Sequence, residues 1–326
     1  MRQKVLVCAR SFQKLDGEHK KILQDAGLEI VPSGQDRALS AAELAERIGG
    51  MSAVIVGMDI VDETVFNAAD MLKVVSMNGV GTDRIDIKAA TRKGIVVTHT
   101  PGTNMDSVAD HTMALILSCS RRIPYHDRMV RAGGWKRMAG RELRNQKLGF
   151  VGLGNIGKAV TLRARSFGMC ICAFDPYLDT QFCSEHDIQA CELETILGSS
   201  DILSLHCDLT PQTERLINAR TIAKMKQGAI LINTARGELV DQNDLIYALQ
   251  TGRLGGAGLD VFEAEPPQLS PLWEMDQVVL TPHLGGNTKE SALRTAYRSA
   301  LNVVAVLTGG TAQSIVNQEV LAKNGK

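Results

Sequence analysis

Three polar residues stand where apolar runs end. Arg236 follows Ile230-Leu231-Ile232-Asn233-Thr234-Ala235, Glu265 lies in Phe262-Glu263-Ala264-Glu265-Pro266, and His283 follows Val279-Leu280-Thr281-Pro282. In open α/β folds, ligands bind beyond the carboxyl ends of the strands. An arginine there offers a planar fork of donors that matches a carboxylate and a neighbouring carbonyl oxygen. A histidine titrates in the range needed to protonate the alkoxide left by hydride addition to that carbonyl. A carboxylate beside the imidazole fixes its tautomer and favours the imidazolium. The three types together suit redox chemistry on a 2-oxo acid. Each alone has a plainer explanation: a surface ion pair, a solvated glutamate before two prolines, a histidine capping a turn.

A hydride needs a carrier, and the chain contains a turn built for one. Gly152-Leu153-Gly154-Asn155-Ile156-Gly157 follows the apolar run 148–151 and opens a helical pattern reaching Phe167. Glycines permit the tight turn, the close approach of backbone to a pyrophosphate, and close helix–strand packing. The helix start then directs its free N–H groups at the anion. The next apolar run, Cys170-Ile171-Cys172-Ala173-Phe174, ends in Asp175. That places a carboxylate roughly 20 residues beyond the turn, where it hydrogen-bonds a ribose hydroxyl and repels a 2′-phosphate. The expected cofactor is NAD rather than NADP.

The elements that position these residues follow from the periodicity. Short β-branched runs at 4–8, 53–56, 73–76 and 95–98 alternate with helical patterns at 18–26, 41–48 and 87–92. A second series of runs lies at 148–152, 170–175, 201–206, 229–233, 257–261 and 278–281. Such alternation implies parallel sheets with helices on both faces. The expected fold class is α/β, with two doubly wound parallel-sheet domains. Between the two series, residues 98–104 form a turn-rich break and 107–120 an almost wholly apolar helix expected to be buried on most sides. Residues 121–146 carry many arginines, Gly133-Gly134 and Trp135 without a strand pattern, which suits an arm that packs on another subunit.

Composition narrows the function classes. Of 326 residues, 44% are hydrophobic and 22% charged, ordinary for a globular chain long enough for two domains. Lys+Arg and Asp+Glu are equal at 36 each, so no overall field draws the molecule onto nucleic acid or an anionic membrane. The N-terminal run is too short for a signal peptide core or a membrane span. The seven cysteines include no C-x-x-C pair, which points to reduced thiols in a cytoplasm, with neither disulfides nor a metal site.

Read in order, these segments resemble the D-2-hydroxyacid dehydrogenase family, most closely its phosphoglycerate dehydrogenase branch. The likeness runs through Asn78-Gly79-Val80-Gly81-Thr82-Asp83, Thr100-Pro101-Gly102-Thr103-Asn104 and Ser107-Val108-Ala109-Asp110-His111-Thr112. It continues through the glycine turn, Asp175, His206-Cys207-Asp208-Leu209-Thr210 and Asn233-Thr234-Ala235-Arg236-Gly237. It ends on Leu259-Asp260-Val261-Phe262 and Thr281-Pro282-His283-Leu284-Gly285-Gly286. The resemblance implies that His283 is the acid/base, Glu265 its carboxylate partner and Arg236 the residue that orients substrate. It implies cofactor contacts from Val80, Gly152, Gly154, Asn155, Ile156, Gly157, Asp175, Cys207, Thr234, Ala235, Asp260, Gly285 and Gly286. Asn78, Gly79 and Asn104 are implied on the substrate side, the turn 78–81 acting through backbone N–H groups.

The same resemblance implies a flavodoxin-like substrate domain (1–100 and 287–326) with an inserted Rossmann NAD-binding domain (101–286) carrying the arm 121–146. It places catalysis in the cleft between them and implies a homodimer or homotetramer. Two departures bear on substrate: Gly57 and Met77 stand where phosphoglycerate dehydrogenases carry arginines. Either the substrate is a small 2-hydroxy or 2-oxo acid such as glyoxylate or hydroxypyruvate, or Arg128, Arg131, Arg137 and Arg141 of the arm substitute. An NAD(H)-responsive binding protein of the same fold is the alternative from another class, and turnover discriminates the two.

Overall fold

A computed structural model describes residues 2–324, which divide into two compact units. The first runs to Asn104 and resumes at Asn287. Its sheet comprises β1 (Lys4–Val7), β2 (Glu29–Pro32), β3 (Ala53–Val56), β4 (Val74–Met77) and β5 (Val96–Thr98). All pairings are parallel, in the order β2-β1-β3-β4-β5. Alternate residues face opposite layers, as the period of a strand requires. Leu6, Val54, Val56 and Val75 pack toward Phe66, while Val5, Ile55 and Val74 pack toward Leu23, Ala296 and Val303.

The return segment is held by specific polar contacts. The fully buried Asn317 accepts from Val97 N at 2.8 Å and donates to Ile95 O at 2.9 Å and Thr91 Oγ1 at 3.0 Å. The turn 101–104 belongs with this unit, because Thr295 Oγ1 lies 2.9 Å from Thr103 Oγ1 and Arg294 Nε donates to Thr103 O.

The second unit, Met105–Gly286, carries a seven-stranded sheet. Its strands are β6 (Lys147–Val151), β7 (Cys170–Phe174), β8 (Gln189–Ala190), β9 (Ile202–Leu205), β10 (Ala229–Asn233), β11 (Leu254–Leu259) and β12 (Val278–Leu280). The order is β12-β11-β10-β9-β6-β7-β8, again parallel throughout. The order reverses at β6, between β7 and β9, which is where the glycine turn stands. Leu148, Phe150, Ile202 and Ile230 form one core with Ile116, Val160 and Ala164; Val151, Leu203, Leu205 and Leu231 form the other with Ile196, Leu245 and Leu249.

Helix Met105–Arg121 buries Val108, Ala109, Thr112, Met113, Leu115 and Ile116 against this sheet. Within 107–120 only Asp110 and Ala114 remain open to solvent, so the helix is covered on most sides, as expected. After it, residues 121–146 form the short helix Ile123–Arg131, which buries no residue, and then an irregular stretch. Among the described residues, no helix is long and apolar enough to cross a membrane, and no cluster of His, Cys, Asp and Glu is disposed to hold a metal ion.

Candidate active site

The site is built where strands stop. Arg236 follows β10, Asp260 follows β11 and His283 follows β12, three neighbouring strands ending on one edge of the sheet. His283 Nδ1 lies 2.8 Å from Glu265 Oε2. The imidazole is 38% exposed and the glutamate 18%, so the ring presents one nitrogen outward while the other meets a shielded carboxylate. Glu265 Oε1 accepts from Phe262 N at 3.3 Å, which aims the carboxylate from within its own loop. Arg236 is set by Asn233, whose amide donates to Arg236 O at 2.7 Å and whose Oδ1 accepts from Ala235 N at 3.0 Å. Thr234 Oγ1 is 3.0 Å from Thr112 Oγ1, tying the same turn to helix Met105–Arg121.

The residues of the glycine turn fit a dinucleotide. Gly152 has φ 92°, and a Cβ there would lie 2.6 Å from Cys207 N, so only glycine lets β6 and the chain after β9 approach so closely. A Cβ on Gly157 would lie 2.8 Å from Gly152 O, which is the helix–strand contact expected of the last glycine. Gly154 differs: a Cβ there meets nothing within 4 Å, so its missing side chain leaves room for a ligand rather than for protein. It also caps helix Asn155–Ser166 without any side-chain hydrogen bond, leaving the first N–H groups, including those of Asn155 and Ile156, facing outward. Asp175 lies beside this turn, accepting from Leu153 N at 2.7 Å and Tyr177 N at 2.8 Å. Burial pushes the partly buried Cys207 thiol up to about 11, so it lines the turn as a neutral group.

Asp260 is 1% exposed and does more than its expected role toward the cofactor describes. Its carboxylate accepts from Thr281 Oγ1 at 2.6 Å, Leu284 N at 2.9 Å and Gly285 N at 2.8 Å, with His111 Nε2 at 3.4 Å. Burial would raise its pKa, yet the hydrogen bonds from His111, Thr281 and the two N–H groups outweigh that and hold it below the usual carboxylate range. Gly285 is buried against this carboxylate, with room for a Cβ only 3.0 Å from Asp260 Oδ2, and Gly286 ends the unit. The sequence reading did not single out His111 or Thr281. Both lie inside motifs quoted above, but nothing local joins residues so far apart in the chain.

In the first unit, the Asn78 amide is already engaged, donating to Ser11 Oγ at 3.0 Å and accepting from Ser299 Oγ at 3.2 Å. Among the described residues, the N–H groups of Gly79, Val80 and Gly81 have no acceptor, whereas the carbonyls of Gly79 and Val80 take Thr100 N and His99 Nδ1. Asn104 directly precedes helix Met105–Arg121.

Residues 113–285 match the family described as D-isomer specific 2-hydroxyacid dehydrogenase, NAD binding domain. This chain belongs to that family. A glyoxylate reductase of Thermofilum pendens is 42% identical over 303 residues, covering 90% of this chain and 89% of that one. The human D-3-phosphoglycerate dehydrogenase is 38% identical over 310 residues, covering 94% of this chain, which spans only 58% of that relative's length. The solved structure of an Aquifex aeolicus D-lactate dehydrogenase complexed with NAD and lactic acid superposes with a TM-score of 0.85 at 28% identity, covering 97% of this chain and 99% of that one. The protein is an NAD-dependent dehydrogenase of 2-hydroxy acids, with two parallel-sheet α/β units as its sequence implied.

Proposed function

We propose that this dehydrogenase interconverts a short 2-oxo acid without a phosphate, of the glyoxylate or hydroxypyruvate class, and its 2-hydroxy acid. The observation that carries the reading is the charge at the end of β3. Gly57 has no side chain, and its N–H donates at 2.9 Å to the carboxylate of Asp59, which is 2% exposed. Met77 closes β4 with a thioether. Neither Gly57 nor Met77 offers a phosphate a cation, and the acid beneath Gly57 is turned inward onto Leu39 N and Gly57 N. Two of the arm arginines are already committed, Arg128 to Asp276 at 2.7 Å and Arg131 to Asp127 at 2.9 Å. The likeness to the Thermofilum glyoxylate reductase supports the same class.

NAD supplies the hydride acceptor and donor. The side chains then have defined tasks. Arg236 orients the substrate carboxylate and polarises the carbonyl through its fork of donors. The N–H groups at 79–81, unpaired among the described residues, receive the carboxylate as an anion nest. His283 donates the proton to the alkoxide oxygen in reduction and takes it back in oxidation, while Glu265 holds the ring with Nδ1 protonated so that Nε2 faces the reaction. Asp175 reads the ribose, and Asp260 with Thr234 and Ala235 borders the nicotinamide end. The proposal includes a cytoplasmic homodimer or homotetramer packed through residues 121–146, supported by the exposure of Ile123, Val130 and Trp135.

The test is NADH consumption against glyoxylate, hydroxypyruvate, pyruvate, 2-oxoglutarate and phosphohydroxypyruvate. The highest kcat/KM is expected with glyoxylate or hydroxypyruvate. Preference for the phosphorylated acid would overturn the substrate reading. Silence across the series with NADH still bound would favour a binding protein.

A further inference from the structure

His283 carries an unexplained burden: its φ is 50°, a left-handed backbone that a residue with a side chain rarely adopts. Such a turn persists only where its surroundings over-determine it, and one residue, Asp260, supplies most of that constraint through its backbone carbonyl and its carboxylate. His283 N donates to Asp260 O at 2.8 Å, and Leu284 N and Gly285 N donate to the Asp260 carboxylate at 2.9 and 2.8 Å. Three consecutive N–H groups of the histidine turn therefore end on one residue. We propose that His111 and Thr281 are positioning residues that aim this carboxylate and so hold His283 against Glu265.

The proton count supports the assignment. A threonine hydroxyl has one proton, and Thr281 spends it on Asp260 Oδ1 at 2.6 Å. Its oxygen then meets His111 Nε2 at 2.9 Å as an acceptor, so His111 carries a proton on Nε2. The same nitrogen lies 3.4 Å from Asp260 Oδ1. His111 thus donates to Thr281 with Asp260 Oδ1 close beside the same nitrogen, from a helix whose neighbouring residues are packed into the sheet. The chain of contacts runs from helix Met105–Arg121 through Thr281 and Asp260 into the turn that bears the imidazole. Gly285 allows it, since a Cβ there would lie 3.0 Å from Asp260 Oδ2, tighter than an ordinary contact. Without the His111 donor, Thr281 is free to turn, Asp260 loses its fixed orientation, and the left-handed turn loses what holds it.

The proposal rests on the acid/base reading of His283, and the experiment separates the two. His111→Phe keeps a flat ring of similar size without a donor, and His111→Gln restores an N–H donor. Thr281→Val and Thr281→Ser form the same pair one bond along. Steady-state kinetics with glyoxylate or hydroxypyruvate are combined with ring 15N spectra of His283 at alkaline pH, where imidazoles are neutral, assigned through His283→Gln. His111→Phe and Thr281→Val are expected to lower kcat by about tenfold or more, because a misplaced acid costs rate even at small displacement, with KM moving less than about threefold. Their His283 spectra are expected to lose the single Nδ1-protonated tautomer expected of the parent. His111→Gln and Thr281→Ser recover most of both. An unchanged His283 tautomer in His111→Phe overturns the proposal, as does His111→Gln behaving like His111→Phe. If the parent turns over neither acid but the spectra still separate the two classes of variant, the substrate reading fails and the clamp stands.

Discussion

The dyad divides its work between a ring that is more than one-third exposed and a carboxylate that is mostly shielded, 2.8 Å apart. His283→Ala is expected to lower kcat by about 10²–10⁴-fold, the usual worth of a positioned acid/base. NADH affinity, measured by fluorescence titration, is expected to stay within about twofold; a large loss would mean that the imidazole serves the cofactor instead. A second histidine has a different consequence. Burial pushes His206 down to about 3 from an ordinary 6.5, and its Nε2 sits 2.8 Å from Ser204 Oγ beside the Phe150 ring. Above pH 6.5 both folded and unfolded chains hold this ring neutral, so it costs nothing. As pH falls below that value the unfolded chain takes a proton that the folded chain refuses until about 3, and stability is lost throughout the interval. The loss is at most about 1.4 kcal/mol per pH unit. Urea unfolding at about pH 7 and pH 5 is expected to show a smaller acid penalty in His206→Gln by up to roughly 2 kcal/mol. Equal penalties would show that the ring is hydrated in the fold.

At the scale of the element, the glycines of one turn have opposite reasons to be glycine. Gly152 combines a positive φ with a Cβ position against Cys207 N, so Gly152→Ala is expected to destabilise the fold by several kcal/mol through strain and collision. Gly154 has open space around it, so Gly154→Ala is expected to leave the melting temperature within a degree or two while weakening NADH binding about tenfold or more. Calorimetry with and without NADH distinguishes them, and full NADH affinity in Gly154→Ala would remove the turn from the cofactor site. The edge strands are informative for a different reason. β2 (Glu29–Pro32) and β8 (Gln189–Ala190) were not read from the sequence, since an edge strand has one pairing neighbour and more solvent, and needs no continuous apolar run. The central strands, buried on both faces, were read within a residue or two, except β11, which begins three residues before the expected start.

At the scale of the whole molecule, the open question is what covers the helix Ile123–Arg131. It exposes Ile123 at 52% and Val130 at 49%, with Trp135 at 78% just beyond, more apolar surface than one short segment ordinarily leaves in water. If the proposed oligomer packs through this arm, Val130→Glu together with Trp135→Glu is expected to shift sedimentation from an oligomer to a monomer. An unaltered oligomer would place the interface elsewhere.

The residue types, the glycine spacing and the alternation of apolar runs with helical patterns were enough to imply two parallel-sheet units and an NAD turn, and they offered Arg236, Glu265 and His283 as candidates whose roles came from the family resemblance. Those are local signals, carried by side-chain size, period and backbone freedom, and they survive without knowing which strand lies beside which. The strand orders, the engagement of the Asn78 amide by Ser11 and Ser299, and the role of Asp260 depend on contacts between distant parts of the chain. Thr281 and His111 join Asp260 only because β11, β12 and helix Met105–Arg121 meet at one end of the sheet. A hydrogen bond between residues 111 and 281 leaves no periodicity behind; only the packed fold decides that it forms.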